Sequence, residues 1–157
     1  MTPDMPDEPT VPSKVLVVDD NAQNLELLVE YLGSLENCRT LTATDGLEAL
    51  EVVGRDKPDL ILLDIMMPRM SGYEVCRKLR SDPETRDIPV IMVTALNELG
   101  DMERAIESGT DDFLSKPFNR LELITRVKSL LKVRHLKDDL ERTLAYLQDV
   151  ETARPGE

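Results

Sequence analysis

Residues 14–21 read Lys14-Val15-Leu16-Val17-Val18-Asp19-Asp20-Asn21. Four consecutive apolar residues with no polar alternation describe a strand covered on both faces, the condition of a central strand in a parallel sheet. Two carboxylates close it. Three further runs end in the same fashion: Leu60–Leu63 in Asp64, Val90–Val93 in Thr94, and Phe113-Leu114-Ser115 in Lys116. Between the runs lie helical patterns at Ala22–Leu35, Leu47–Val53, Gly72–Arg80, Asp101–Ser108 and from Arg120 onward, and strands are expected to begin near Lys14, Cys38, Asp59, Ile88 and Asp111. Regular strand–helix alternation predicts an α/β fold, a doubly wound five-stranded parallel sheet with helices on both faces and an extended C-terminal helix. The second strand, Arg39-Thr40-Leu41-Thr42-Ala43, alternates polar and apolar residues and so belongs at an edge, next to the fully apolar first strand. The strand order is then 2-1-3-4-5, with the switch point between the first and third strands.

Ligands of open parallel sheets sit beyond the carboxyl ends of the strands, so this topology makes Asp19, Asp20, Asp64, Thr94 and Lys116 converge. Three carboxylates, a hydroxyl and an ammonium in one crevice suit a divalent cation beside a phosphoryl group. Each residue alone has a plainer reading. An aspartate after a strand is ordinarily a helix or loop cap, a lysine a surface charge, a threonine a strand-end residue, and an aromatic such as Phe113 part of the core.

Composition sets the outer bounds. The 157 residues are 41% hydrophobic, enough for one core with an appendage. With 31 acidic against 19 basic side chains the formal charge is −12, which disfavours direct nucleic-acid binding. Cys38 and Cys76 share no CxxC spacing and read as reduced thiols rather than disulfide or zinc ligands. No apolar run approaches the roughly 18 residues of a membrane span, and the acidic residues 1–13 do not resemble a secretory leader, so a cytoplasmic location is expected. Pro3, Pro6, Pro9 and Pro12 oppose regular structure, giving a disordered tail over 1–13, one domain over 14–132 and a helical extension with a frayed end over 133–157.

Four stretches in order, Val15-Leu16-Val17-Val18-Asp19-Asp20-Asn21, Asp64-Ile65-Met66-Met67-Pro68-Arg69-Met70-Ser71-Gly72, Val93-Thr94-Ala95 and Phe113-Leu114-Ser115-Lys116-Pro117-Phe118, closely resemble the receiver domain of two-component response regulators, a chemotaxis-receiver-like, flavodoxin-like fold. The resemblance spans about Lys14 to Lys132. It implies that Asp64 accepts a phosphoryl group from a histidine kinase or phosphotransfer protein, that Lys116 and Thr94 contact that group, and that Thr94, Ala95 and Phe113 form the switch. It further implies a Mg²⁺ ion held by Asp20, Asp64 and the Met66 backbone carbonyl, with Asp19 acting through water, and a cis Lys116–Pro117 peptide. The resemblance implies a phosphoacceptor that catalyses its own phosphotransfer rather than an enzyme with turnover, and slow self-dephosphorylation is expected of this chain.

The residue chemistry agrees. A carboxylate with an ordinary pKa of about 3.9 is ionised at neutral pH and attacks phosphorus without a general base. Three carboxylates repel one another until a cation joins them, so removing one charge, as in Asp20→Asn, is expected to stabilise the metal-free protein. The resemblance places the residues two beyond the acceptor and the switch hydroxyl, here Met66 and Leu96, beside the attacking water; both are apolar and offer it no hydrogen bond, which predicts a long-lived phosphorylated state. A haloacid-dehalogenase-type phosphatase also uses an aspartate nucleophile, but it needs a second aspartate two residues on, where this chain has Met66.

The last segment carries apolar residues at helical spacing through Val127, Leu130, Val133, Leu136, Leu140, Leu144, Leu147 and Val150. Positions 133, 136, 140, 147 and 150 fit a coiled-coil seam, Thr143 interrupts it, and Leu144 pulls toward a longer period. A homodimeric two-stranded coil is expected, against two alternatives: a heterologous downstream target, or packing on the enzymatic or DNA-binding output domain of a larger regulator. His135, flanked by Arg134, Leu136 and Lys137, reads as a solvated helix histidine rather than a phosphotransfer residue.

Overall fold

A computed structural model of the chain describes residues 11–95 and 99–152. Strands β1 (Ser13–Val18), β2 (Cys38–Ala43), β3 (Leu60–Leu63), β4 (Val90–Thr94) and β5 (Asp112–Ser115) form one sheet in the order β2-β1-β3-β4-β5, with every neighbouring pair parallel. Helices α1 (Ala22–Leu32), α2 (Gly46–Asp56), α3 (Gly72–Ser81), α4 (Leu99–Ser108) and α5 (Arg120–Thr152) alternate with the strands.

The continuous apolar runs divide by parity. Leu16, Val18, Ile61, Leu63, Val90 and Met92 face α2, α3 and α4, where Val52, Val53, Val75, Cys76, Leu79 and Ala105 meet them. Val15, Val17, Leu60, Leu62, Ile91 and Val93 face the opposite layer, Leu28 and Leu32 of α1 with Leu123, Val127 and Leu131 of α5. Successive side chains of a strand point to opposite faces, so a run without alternation is what a sheet sandwiched between two helical layers requires.

Helix starts follow local chemistry. Asn21 Oδ1 accepts from the N–H groups of Gln23 and Asn24, Asp45 Oδ1 from Glu48, and Ser71 Oγ from Glu74, each satisfying donors that the first helical turn leaves open. Several ends differ from the sequence reading. α1 stops at Leu32 rather than Leu35: past Gly33 the Ser34 and Leu35 N–H groups bond three residues back, to the Tyr31 and Leu32 carbonyls, rather than four. β3 starts at Leu60, since the Asp59 carboxylate is spent on the Lys14 N–H (2.8 Å). β5 starts at Asp112, because the Asp111 carboxylate instead accepts from Val90 N–H (2.8 Å) and from the Arg80 guanidinium (2.7 Å). Arg80 also donates to the carbonyls of Gly109, Arg86 and Ile88, tying α3 to the segments that enter β4 and β5.

At the termini, the readings of Ser13 and of His135 need correcting. Ser13, assigned to the tail, belongs to β1: it pairs with Cys38, and its N–H donates to Asn37 O at 3.0 Å. The rest of the expected tail, residues 1–10, lies outside the described residues, as do residues 153–157 of the expected frayed end. The boundary placed after Lys132 falls within α5, an uninterrupted helix of 33 residues, about 50 Å long. His135 is half-buried rather than solvated; its Nε2 shares a 2.9 Å hydrogen bond with Ser13 Oγ. On the other side, Lys137 Nζ lies 3.1 Å from the Asp87 carboxylate and Arg134 donates to the Asp87 carbonyl. The helix therefore leaves the body only after these contacts. Leu136, within this stretch, and Leu140, Leu144, Leu147 and Val150 beyond it are exposed.

Candidate functional site

Parallel register assembles the site. Val18 pairs with Leu63, so Asp19 and Asp64 emerge side by side beyond β1 and β3. Thr94 pairs with Ser115, and the Lys116 N–H donates to the Thr94 carbonyl at 2.7 Å. Asp19 (1% exposed) and Asp64 (6%) are buried, whereas Asp20 is exposed, and one carboxylate oxygen from each of the three lies within 4.8 Å of the others. Lys116 Nζ reaches across from β5, 3.1 Å from Asp19 Oδ2 and 3.8 Å from Asp64 Oδ2. The Lys116–Pro117 peptide is cis. Thr94 is fully buried at the end of β4, Ala95 is exposed, and Phe113 is half-buried against the α2–α4 layer. Leu96 lies outside the described residues; Met66 stands 61% exposed beside Asp64.

The electrostatics are unbalanced. Burial, and then repulsion from Asp19, push the Asp64 carboxyl up to about 6, against the opposing pull of Lys116 and of the Met66 and Ile65 N–H groups. One ammonium does not compensate this much clustered negative charge. The crowding is between Asp19 and Asp64; Asp20 does not figure among its causes, because its exposed carboxylate is screened by water. The gain expected from Asp20→Asn is therefore transferred to Asp64. Three hard oxygen donors around uncompensated negative charge, with one member open to solvent, fit a hydrated divalent cation such as Mg²⁺.

Gly72, which in the sequence opens the third helical pattern and closes the stretch that begins at Asp64, proves structural to the site. Its N–H donates to Ile65 O at 3.0 Å, and a Cβ there would stand 2.4 Å from the Asp64 carbonyl oxygen and 2.8 Å from Ile65 Cα. The first turn of α3 thus presses directly on the backbone that carries Asp64. A glycine eight residues after the acid, at a helix start, was the only available signal.

The fold and this acidic pocket define a phosphoacceptor module, and the chain belongs to the response regulator receiver domain family, which it matches over residues 15–128. It is 47% identical over 130 residues to the response regulator PleD of Caulobacter vibrioides, an alignment covering 83% of this chain and 28% of PleD. The chain thus spans about a quarter of that relative's length, and 53% of the response regulator MprA of Mycobacterium ulcerans, to which it is 41% identical. Among solved structures, the signal receiver domain of a signal transduction histidine kinase from Syntrophus aciditrophicus superposes with a TM-score of 0.72 at 38% identity, covering 76% of this chain and 90% of that one. The receiver domain of a sensor histidine kinase from Pseudomonas aeruginosa PAO1, whose active-site cleft coordinates a magnesium ion, gives a TM-score of 0.72 at 32% identity over 78% of this chain and 99% of that one.

Proposed function

We propose that this chain is a Mg²⁺-dependent phosphorylation switch in which Asp64 accepts a phosphoryl group from a histidine kinase or phosphotransfer protein. The observation that carries this reading is the buried Asp19–Asp64 pair joined to Asp20 within 4.8 Å and faced by Lys116. Asp20, Asp64 and the Met66 carbonyl would hold Mg²⁺, with Asp19 acting through water, and the ion would supply charge compensation for the transferring phosphoryl oxygens. Asp64 attacks phosphorus as the bond to the donor nitrogen breaks; Lys116 and the Thr94 hydroxyl then hold the phosphoryl oxygens. Thr94, Ala95 and Phe113 carry the change to the β4–α4–β5 surface. The chain acts without turnover on a substrate, and apolar Met66 beside the acceptor supports slow self-dephosphorylation. The free thiols of Cys38 and Cys76 suit a cytoplasmic setting, and among the described residues no helix is long and apolar enough to cross a membrane.

Beryllofluoride, a phosphoryl mimic, tests the site. With Mg²⁺ it is expected to shift the amide signals of Thr94, Ala95 and Phe113, and without Mg²⁺ to leave them in place; the Asp64→Ala protein should give no shift in either case. Metal-independent shifts would count against the site.

The exposed row Leu136, Leu140, Leu144, Leu147 and Val150 supports a second element of the proposal, that a second copy of the chain covers the helix end as a two-stranded coil. Truncation after Asp138 keeps the His135 and Lys137 contacts and removes most of the row. Light scattering is expected to find a dimer for the full chain and a monomer for the truncated one, both still responding to beryllofluoride. If both are monomers at high concentration, the helix instead serves a different partner or an output domain. That second reading, in which the chain is the receiver of a longer regulator, draws on the chain's covering 28% of PleD.

A further inference from the structure

Beside the acidic pocket, a cleft of about 500 Å³ runs between the β3–α3 loop and α4. Met66, Met67 and Pro68 form much of its wall, and among the described residues the only charged ones lining it are Asp20 and Arg104. Arg104 projects from α4 and lays its guanidinium over the ring of buried Tyr73, 4.3 Å from the centroid. It makes no ion pair with any described residue. In a chain of net charge −12, where Arg80, Arg126 and Arg134 all engage carboxylates, a guanidinium parked on an aromatic face is a cation held in reserve. Its planar fork of donors matches carboxylate and phosphate oxygens.

The position of the cleft indicates what such a cation would meet. Asp64 is buried, so an in-line displacement at phosphorus must expel its leaving group outward, past exposed Asp20 and Met66, and both line this cleft. We infer that Arg104 is a specificity-determining residue that recruits anionic acyl phosphate donors and receives the departing carboxylate in the Asp20–Met66–Arg104 cleft. In that step an Asp64 oxygen forms a bond to phosphorus, the bond from phosphorus to the acyl oxygen breaks, and the electron pair leaves with the carboxylate. A donor that releases ammonia presents no departing anion and gains less from the guanidinium.

This rests on Asp64 being the acceptor, and the experiment separates the two claims. Rates of phosphorylation by acetyl phosphate and by phosphoramidate are measured with Mg²⁺ for the full chain and for its Arg104→Gln and Arg104→Lys forms, with thermal melts to check that each is folded. The ratio of the acetyl phosphate rate to the phosphoramidate rate is expected to fall about five-fold or more in Arg104→Gln, to be largely restored in Arg104→Lys, and to drop toward the Gln value in the unmodified protein as salt screens the charge. A ratio equal in all three proteins, or two rates lowered in parallel, assigns Arg104 to packing on Tyr73 and overturns the inference. Failure of both donors to label the unmodified protein would instead remove Asp64 from the acceptor role.

Discussion

In metal-free buffer near neutral pH, Asp64→Asn is expected to be more stable than the unmodified protein by about 2–3 kcal/mol, from a carboxyl held some two pKa units above its unfolded value at about 1.4 kcal/mol per unit. The Asp64 carboxyl stands at about 6 in the folded chain, against about 3.9 in the unfolded one. Between those values the folded state binds the extra proton, so the group's stabilising contribution is fully present below about pH 4 and is lost as pH rises through 6. The advantage of the Asn variant should accordingly be near zero at pH 4, grow across pH 4–6 and level off above about 6.5. Asp20→Asn should show much less of it, because the Asp20 carboxylate is exposed. Saturating Mg²⁺ should narrow the gap by stabilising the unmodified protein more than the variant. Thermal melts in EDTA and in Mg²⁺ across this range check the point; an advantage that does not change with pH would show that Asp64 is not the strained group.

The second large effect is expected at Gly72. Alanine there must displace either the Asp64 carbonyl, 2.4 Å from the new Cβ, or the Ile65 Cα at 2.8 Å, and both are backbone atoms inside a packed layer with no flexible end to yield. Forcing one carbon into such a space costs about 3 kcal/mol, a fall on the order of 10 °C in melting midpoint for a domain of this size. The strain falls on the residue that carries the acceptor, so phosphorylation by small donors should slow out of proportion to the fraction unfolded. A Gly72→Ala protein that melts normally and phosphorylates normally would mean that α3 can shift along β3 without disturbing Asp64.

Much of the site could be read along the chain because Asp19, Asp64 and Thr94 each close a buried strand, while Lys116 follows the half-buried edge strand β5. A strand covered on both faces needs uninterrupted apolar residues, and Val15–Val18, Leu60–Leu63 and Val90–Val93 are such runs, so the first polar residue after each marks the sheet's carboxyl end. Edge placement of β2 followed from its alternation, and the strand order from placing an edge strand beside a central one.

What stayed hidden depends on groups far apart in the chain. Arg80 reaches Asp111 and the Gly109 carbonyl, 31 and 29 positions away, and Ser13 meets His135 across 122. No local pattern marks these pairs. His135 has the neighbours of an exposed helix residue, and only the docking of α5 beside β1 half-buries it. Likewise, sequence showed three carboxylates but not which two would be crowded; their depth beyond the sheet decided that Asp19 and Asp64 repel while Asp20 faces water.

Sequence by itself therefore determined the layer order, the strand order and the identity of the residues at the carboxyl edge, because burial by two helical layers acts on every residue of a strand and leaves a continuous record. Only the tertiary structure decided the charge balance at Asp64, the need for glycine at position 72, the stacking of Arg104 on Tyr73 and the point where α5 leaves the body. Each of these depends on a distance of a few ångströms between groups whose chain separation carries no information about it.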